Sequence, residues 1–79
     1  MKLIIRNIDR NITEPQLKLM FEEYGFIQSC DLVLDTETKE SKGFGFVEMP
    51  KGGEAKAAMI SVNGQKINGT TIRVKKAGR

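Results

Sequence analysis

The chain has no histidine and a single cysteine. Without histidine it lacks the commonest general base near neutral pH and the commonest metal ligand. One cysteine, Cys30, cannot form an internal disulfide, and no CxxC or Cys/His cluster is present for zinc. A reducing, cytoplasmic setting is the default expectation. Long apolar runs are also missing, and the opening MKLIIRNI is too short for a signal peptide or a membrane span. Glu22 and Glu23 are the only adjacent carboxylates, and neighbours on a helix diverge, so they read as solvated surface rather than an acid–base pair. No enzyme, cofactor or metal site is expected from these residues.

What the chain does contain fits one small domain. Its 79 residues leave no room for a second core, and 39% hydrophobic with 29% charged residues is ordinary for a soluble globular chain. So small a domain commits most of its apolar residues to the interior, which makes any large apolar group on the surface informative. The net charge of +3 is unevenly placed. Six bases and no acid follow Glu54, giving +6, whereas the first 54 residues carry seven bases against ten acids, giving −3. Chance clustering on a solvated surface accounts for such a pattern, and so does an anionic partner at the C-terminal end.

The elements can be read in order. Residues 2–8, KLIIRNI, form a β-prone run. Thr13-Glu14-Pro15-Gln16 fits a capping box, and Leu17, Met20, Phe21 and Tyr24 follow at helical spacing up to Gly25, with Leu19 off that stripe and exposed. Ile27 to Leu34 reads as a second strand, residues 35–41 as a polar turn, and GFGFVEM as a third strand stopped by Pro50-Lys51-Gly52-Gly53. Glu54 to Val62 is a second helix, with Ala55, Ala58, Met59 and Val62 on one face and Asn63-Gly64 closing it. Lys66 to Gly69 suggests a small hairpin before a last strand, Thr70 to Lys75. The order βαββαβ predicts an α+β, ferredoxin-like fold: a four-stranded antiparallel sheet with both helices on one face and the other face open.

Alternation then assigns faces. On the first strand Lys2 and Arg6 must meet water and carry Ile4 outward, opposite Leu3 and Ile5. Thr71, Arg73 and Lys75 oppose Ile72 and Val74 in the same way, and Asp31 and Val33 oppose Cys30, Leu32 and Leu34. On the third strand Phe44, Phe46 and Glu48 oppose Gly45, Val47 and Met49. Hydrophobicity alone would bury the two rings. Glu48 argues otherwise, because burying an unpaired carboxylate costs on the order of several kcal/mol, more than exposing two rings. The open face therefore shows Phe44 and Phe46 amid Ile4, Val33, Lys2, Arg6, Arg73 and Lys75. Rings among cations suit single-stranded nucleic acid, since bases stack on the rings while cations follow the phosphates. A protein-binding patch is the other use of such a face, though it needs fewer cations.

Here the residues resemble a known family, the RNA recognition motif. Lys42-Gly43-Phe44-Gly45-Phe46-Val47-Glu48-Met49 matches the family's octamer at every position but the last, and Leu3-Ile4-Ile5-Arg6-Asn7-Ile8 resembles its hexamer. The resemblance implies that Phe44 and Phe46 stack bases, that Lys42 contacts phosphate, and that Arg73, Lys75, Lys76 and Ala77 contact bases from the last strand and its exit. Asn7 matches the hexamer asparagine, although a strand-end hydrogen bond to the backbone explains it equally well. Two departures stand out. Ile4 occupies a hexamer position that is usually aromatic, so one stacking platform is missing. Met49 replaces the octamer's last aromatic on the helix side, which concerns packing.

Other motifs carry little. Gly43-Phe44-Gly45 is not a phosphate loop, because Glu48 stands where a third glycine is needed and no helix opens there. Cys30 reads as a buried, unreactive thiol, and Lys39 equally as a phosphate-steering or a plain solvated lysine. The expectation is a monomeric domain over residues 1–77 with a short tail at 78–79. Its ligand is single-stranded RNA, with single-stranded DNA as a secondary ligand, and no membrane or metal is involved. A protein-interaction module of the same fold is the alternative. The chain resembles the stand-alone members found in bacteria, and a fragment of a larger protein fits the same residues.

Overall fold

The computed structural model describes residues 1–77; the expected tail at 78–79 lies outside them. Strand β1 spans Lys2–Arg6, helix α1 Glu14–Glu22, β2 Ser29–Leu34, β3 Ser41–Glu48 and α2 Gly52–Val62. Two-residue strands β4 (Lys66–Ile67) and β5 (Thr70–Thr71) form a hairpin, and β6 is Arg73–Lys76. The main sheet is antiparallel in the order β2-β3-β1-β6. This is the expected βαββαβ architecture.

Several boundaries differ from the sequence reading, each for a physical reason. Strand β1 stops at Arg6 because Asn7 turns the chain with φ 60. Helix α1 ends at Glu22, two residues before Tyr24 and three before Gly25, which takes φ 156. Strand β2 begins at Ser29 rather than Ile27, because pairing with β3 starts at Ser29 opposite Glu48. Helix α2 starts at Gly52, taking in both glycines that had read as a strand stop. The expected strand from Thr70 to Lys75 is split at Ile72, whose N–H bonds the Gln65 carbonyl outside the sheet. Asn68 and Gly69 both take positive φ (52 and 82), the geometry that an Asn-Gly hairpin turn favours.

The capping box of α1 forms as its sequence requires. Thr13 Oγ1 accepts from the Gln16 N–H and Gln16 Oε1 accepts from the Thr13 N–H, at 3.4 and 2.9 Å. The core between helices and sheet gathers Leu3, Ile5, Leu17, Phe21, Val47, Met49, Ala55, Ala58, Val62, Ile72 and Val74, each at most 3% exposed. Leu34 departs from the core side assigned to it and is 45% exposed, beyond the point where the β2–β3 register shifts. Leu32 pairs with Gly45 but Leu34 with Ser41, so β3 spends four steps where β2 spends two. Gly43, at φ 84, absorbs this bulge, and its carbonyl accepts from the Ile8 N–H at 2.8 Å. Among the described residues no helix is long and apolar enough to cross a membrane.

Candidate nucleic-acid interface

The register turns the open face into a grid. Across the sheet, one row runs Asp31, Phe46, Ile4 and Lys75. The next row holds Phe44, Arg6 and Arg73, and on the other side Glu48 faces Lys2. Directly opposed side chains on one face stand about 5 Å apart at Cβ, so each ring stands beside its row neighbours. Phe44 and Phe46 are half-buried, with centroids 6.2 Å apart and planes at 88°. Each therefore presents a different aspect to solvent. The Lys2 ammonium lies 4.8 Å from the centroid of Phe46, a cation–π contact.

Two shallow clefts flank Ile4. One of about 330 Å³ is lined by Ile4, Arg6, Asn7, Gly43 and Phe44. The other, of about 340 Å³, is lined by Ile4, Arg6, Phe46, Lys75, Lys76 and Ala77. The isoleucine in place of a ring thus forms a low ridge between two hollows. Each hollow has a phenylalanine on one side; Arg6 is the one cation lining the first, while Arg6, Lys75 and Lys76 line the second.

Glu48 is half-buried on this face and lies 3.3 Å from the Met1 ammonium, so its charge is compensated there. Asp31, also on this face, is exposed and makes no ion pair among the described residues.

Not every residue expected at the site joins the grid. Lys42 lies within the bulged stretch of β3 and lines a separate cleft with Arg10, Asp35 and Glu40. Lys76 falls opposite Leu3, on the helix side with Val74 by alternation, although it also lines the cleft beside Lys75. Ala77 extends the pairing by one residue, its N–H donating to the Lys2 carbonyl at 2.8 Å. Val33 is half-buried in the stretch where the register shifts. Asn7 Nδ2 donates to the Thr71 carbonyl at 2.7 Å, so its amide ties the end of β1 to β5 while also lining a cleft.

Two further residues shape this face without being rings or cations: Asp31 and Gly43. Asp31 was already turned outward by alternation, and its partner Phe46 is set by the β2–β3 register. Gly43, a member of the octamer, takes a positive φ and lines the cleft beside Phe44. Cys30 sits on the other side of the sheet, half-buried and 3.9 Å from the Glu14 carbonyl. Burial first, then the charges of Glu14 and Asp31, push its thiol up to about 11.

The family model described as RNA recognition motif matches residues 3–73. A protein of Nostoc sp. named as a candidate RNA-binding protein, RbpB, is 36% identical over 77 residues, 98% of this chain and 75% of that one. The 31 kDa chloroplastic ribonucleoprotein of Nicotiana sylvestris is 38% identical over 92% of this chain but only 23% of its own length. The chain therefore spans about a quarter of that relative and three quarters of the cyanobacterial one. Among solved structures, the RNA-binding protein PG1 superposes with a TM-score of 0.93 at 32% identity, covering 98% of this chain and 93% of that one.

Proposed function

The chain belongs to the RNA recognition motif family, and from that premise we propose that it binds single-stranded RNA on the open face of its sheet. The observation that carries this reading is the pairing of Phe44 and Phe46 at 6.2 Å in a field of Lys2, Arg6, Arg73 and Lys75. Relatives named for RNA binding support it.

In this reading a base stacks on each ring, contributing about 1–3 kcal/mol per base, and the cations follow the phosphates. The rings lie nearly perpendicular, so one of them turns when two successive bases stack. Lys2 leaves its place over Phe46 as a base arrives. That exposed cation–π contact is worth about 0.5–1 kcal/mol, less than one stacked base, so the exchange favours RNA. The freed ammonium then meets a phosphate. Ile4 offers apolar contact only, which limits the stacked bases to two. Single-stranded DNA binds by the same stacking, without whatever the 2′-hydroxyl adds.

Fluorescence anisotropy with short mixed-sequence RNA tests this. Replacing both rings, Phe44→Ala with Phe46→Ala, removes about 2–6 kcal/mol, at least a roughly 30-fold loss. A folded double variant that binds as tightly as the parent contradicts the stacking model.

A second reading, a protein-binding face, has its own observation. Leu19, Phe26 and Ile60 are 63%, 64% and 67% exposed, more than an apolar side chain needs to be. It takes precedence if the parent shows no salt-sensitive RNA binding.

A further inference from the structure

The sheet face that meets RNA in the reading above is cationic, and Asp31 is the exception that nothing so far explains. It stands directly opposite Phe46 in the β2–β3 register, is exposed, and has no ion pair among the described residues. The other carboxylate of that face, Glu48, is compensated by the Met1 ammonium at 3.3 Å. An uncompensated negative charge beside a stacking ring repels phosphate. The groups it attracts are hydrogen-bond donors, because an ionised carboxylate only accepts.

The row also gives the site a direction. Phe46 has Asp31 on one side and Ile4 then Lys75 on the other. Three strand spacings of about 4.8 Å separate Asp31 from Lys75. Ribose and phosphate suit the side with Lys75 and Arg73, which leaves the outer edge of a base on Phe46 pointing toward Asp31. Among the bases, guanine alone presents two adjacent donors on its Watson–Crick edge, N1–H and the 2-amino group, at the spacing of a carboxylate's two oxygens. Adenine and cytosine offer one amino group each. Uracil offers a single N3–H between two carbonyl oxygens that repel the carboxylate.

We infer that Asp31 makes the Phe46 position a guanine-preferring subsite, the two carboxylate oxygens accepting from N1–H and the 2-amino group of the stacked base. This rests on the RNA-binding reading, and the experiment separates the two. Parent and Asp31→Ala proteins are titrated by anisotropy against labelled U8 and against the same octamer carrying one central guanosine, inosine, adenosine or cytidine. Inosine keeps N1–H and lacks the 2-amino group, so it isolates the second hydrogen bond. Circular dichroism confirms that the variant is folded, as expected for an exposed side chain.

For the parent, guanosine should raise affinity over U8 by about tenfold, the scale of a good bidentate base contact, with inosine between them. Asp31→Ala should abolish that preference while binding U8 at least as well as the parent. A variant that tightens every oligonucleotide by the same factor makes Asp31 a repulsive charge only and overturns the inference. So does a parent that binds inosine and guanosine alike, or that shows no preference among the octamers. A parent that binds none of them removes the RNA-binding reading itself, and this inference with it.

Discussion

Gly45 shows how much one hydrogen atom decides in this molecule. A β-carbon built there would lie 2.6 Å from the Asp31 carbonyl oxygen and 3.3 Å from Leu17 Cδ2. Leu17 belongs to α1, so one neighbour is the helix packed over this strand. The tighter neighbour is the backbone of β2, which cannot swing aside. Gly45→Ala should therefore cost about 1–3 kcal/mol, the usual penalty for overpacking, seen as a lowered midpoint in thermal or urea unfolding. Two titrations belong to this scale as well. The Cys30 thiol ionises near 11 rather than 9.0, so the folded state is favoured below pH 9 and loses that advantage as pH rises toward 11. At pH 8 only about one thiol in a thousand is thiolate, so a thiol reagent should react far more slowly with native protein than with unfolded protein. The Asp35 carboxyl is held below its usual 3.8, chiefly by the backbone N–H groups of Thr38 and Glu37. That stabilisation is present above the unfolded value and disappears as pH falls below it.

The two helices begin differently, and the difference predicts opposite mutational effects. Helix α1 has a complete capping box, whereas α2 begins at Lys51, whose side chain makes no cap. Thr13→Ala should cost about 1 kcal/mol, and Lys51→Asp should gain a comparable amount, both measurable by denaturant unfolding. Element types and order were readable from residue patterns because capping, helical spacing and alternation are local. Boundaries were not, because pairing across the sheet sets them. Strand β2 begins where Glu48 offers a partner, and Ile72 leaves the sheet to bond Gln65. The bulge at Gly43 belongs to the same class, since only the β2–β3 register shows that β3 is two residues longer there.

At the scale of the whole molecule, the open face was readable from a single charge. Glu48 sets the phase of β3, and that phase turns Phe44 and Phe46 outward. Period-two reasoning ends where the strand does. It did not separate Lys42, within the bulged stretch, from the grid, nor place Lys2 over Phe46. The grid's four cations also bear on salt dependence. If about three or four phosphates are neutralised, log affinity should fall with log salt at a slope of about −2 to −3, as counterion release on single strands requires. A slope near zero would leave those cations without a role in binding.

The most direct test of the central claim is a heteronuclear NMR titration of the labelled protein with a short single-stranded RNA. Open-face binding predicts that the Phe44 and Phe46 ring signals move most, together with amides of β1, β3 and β6, while those of α1 and α2 stay in place. Shifts concentrated on the helices around Leu19 and Ile60, with both rings unmoved, would contradict it.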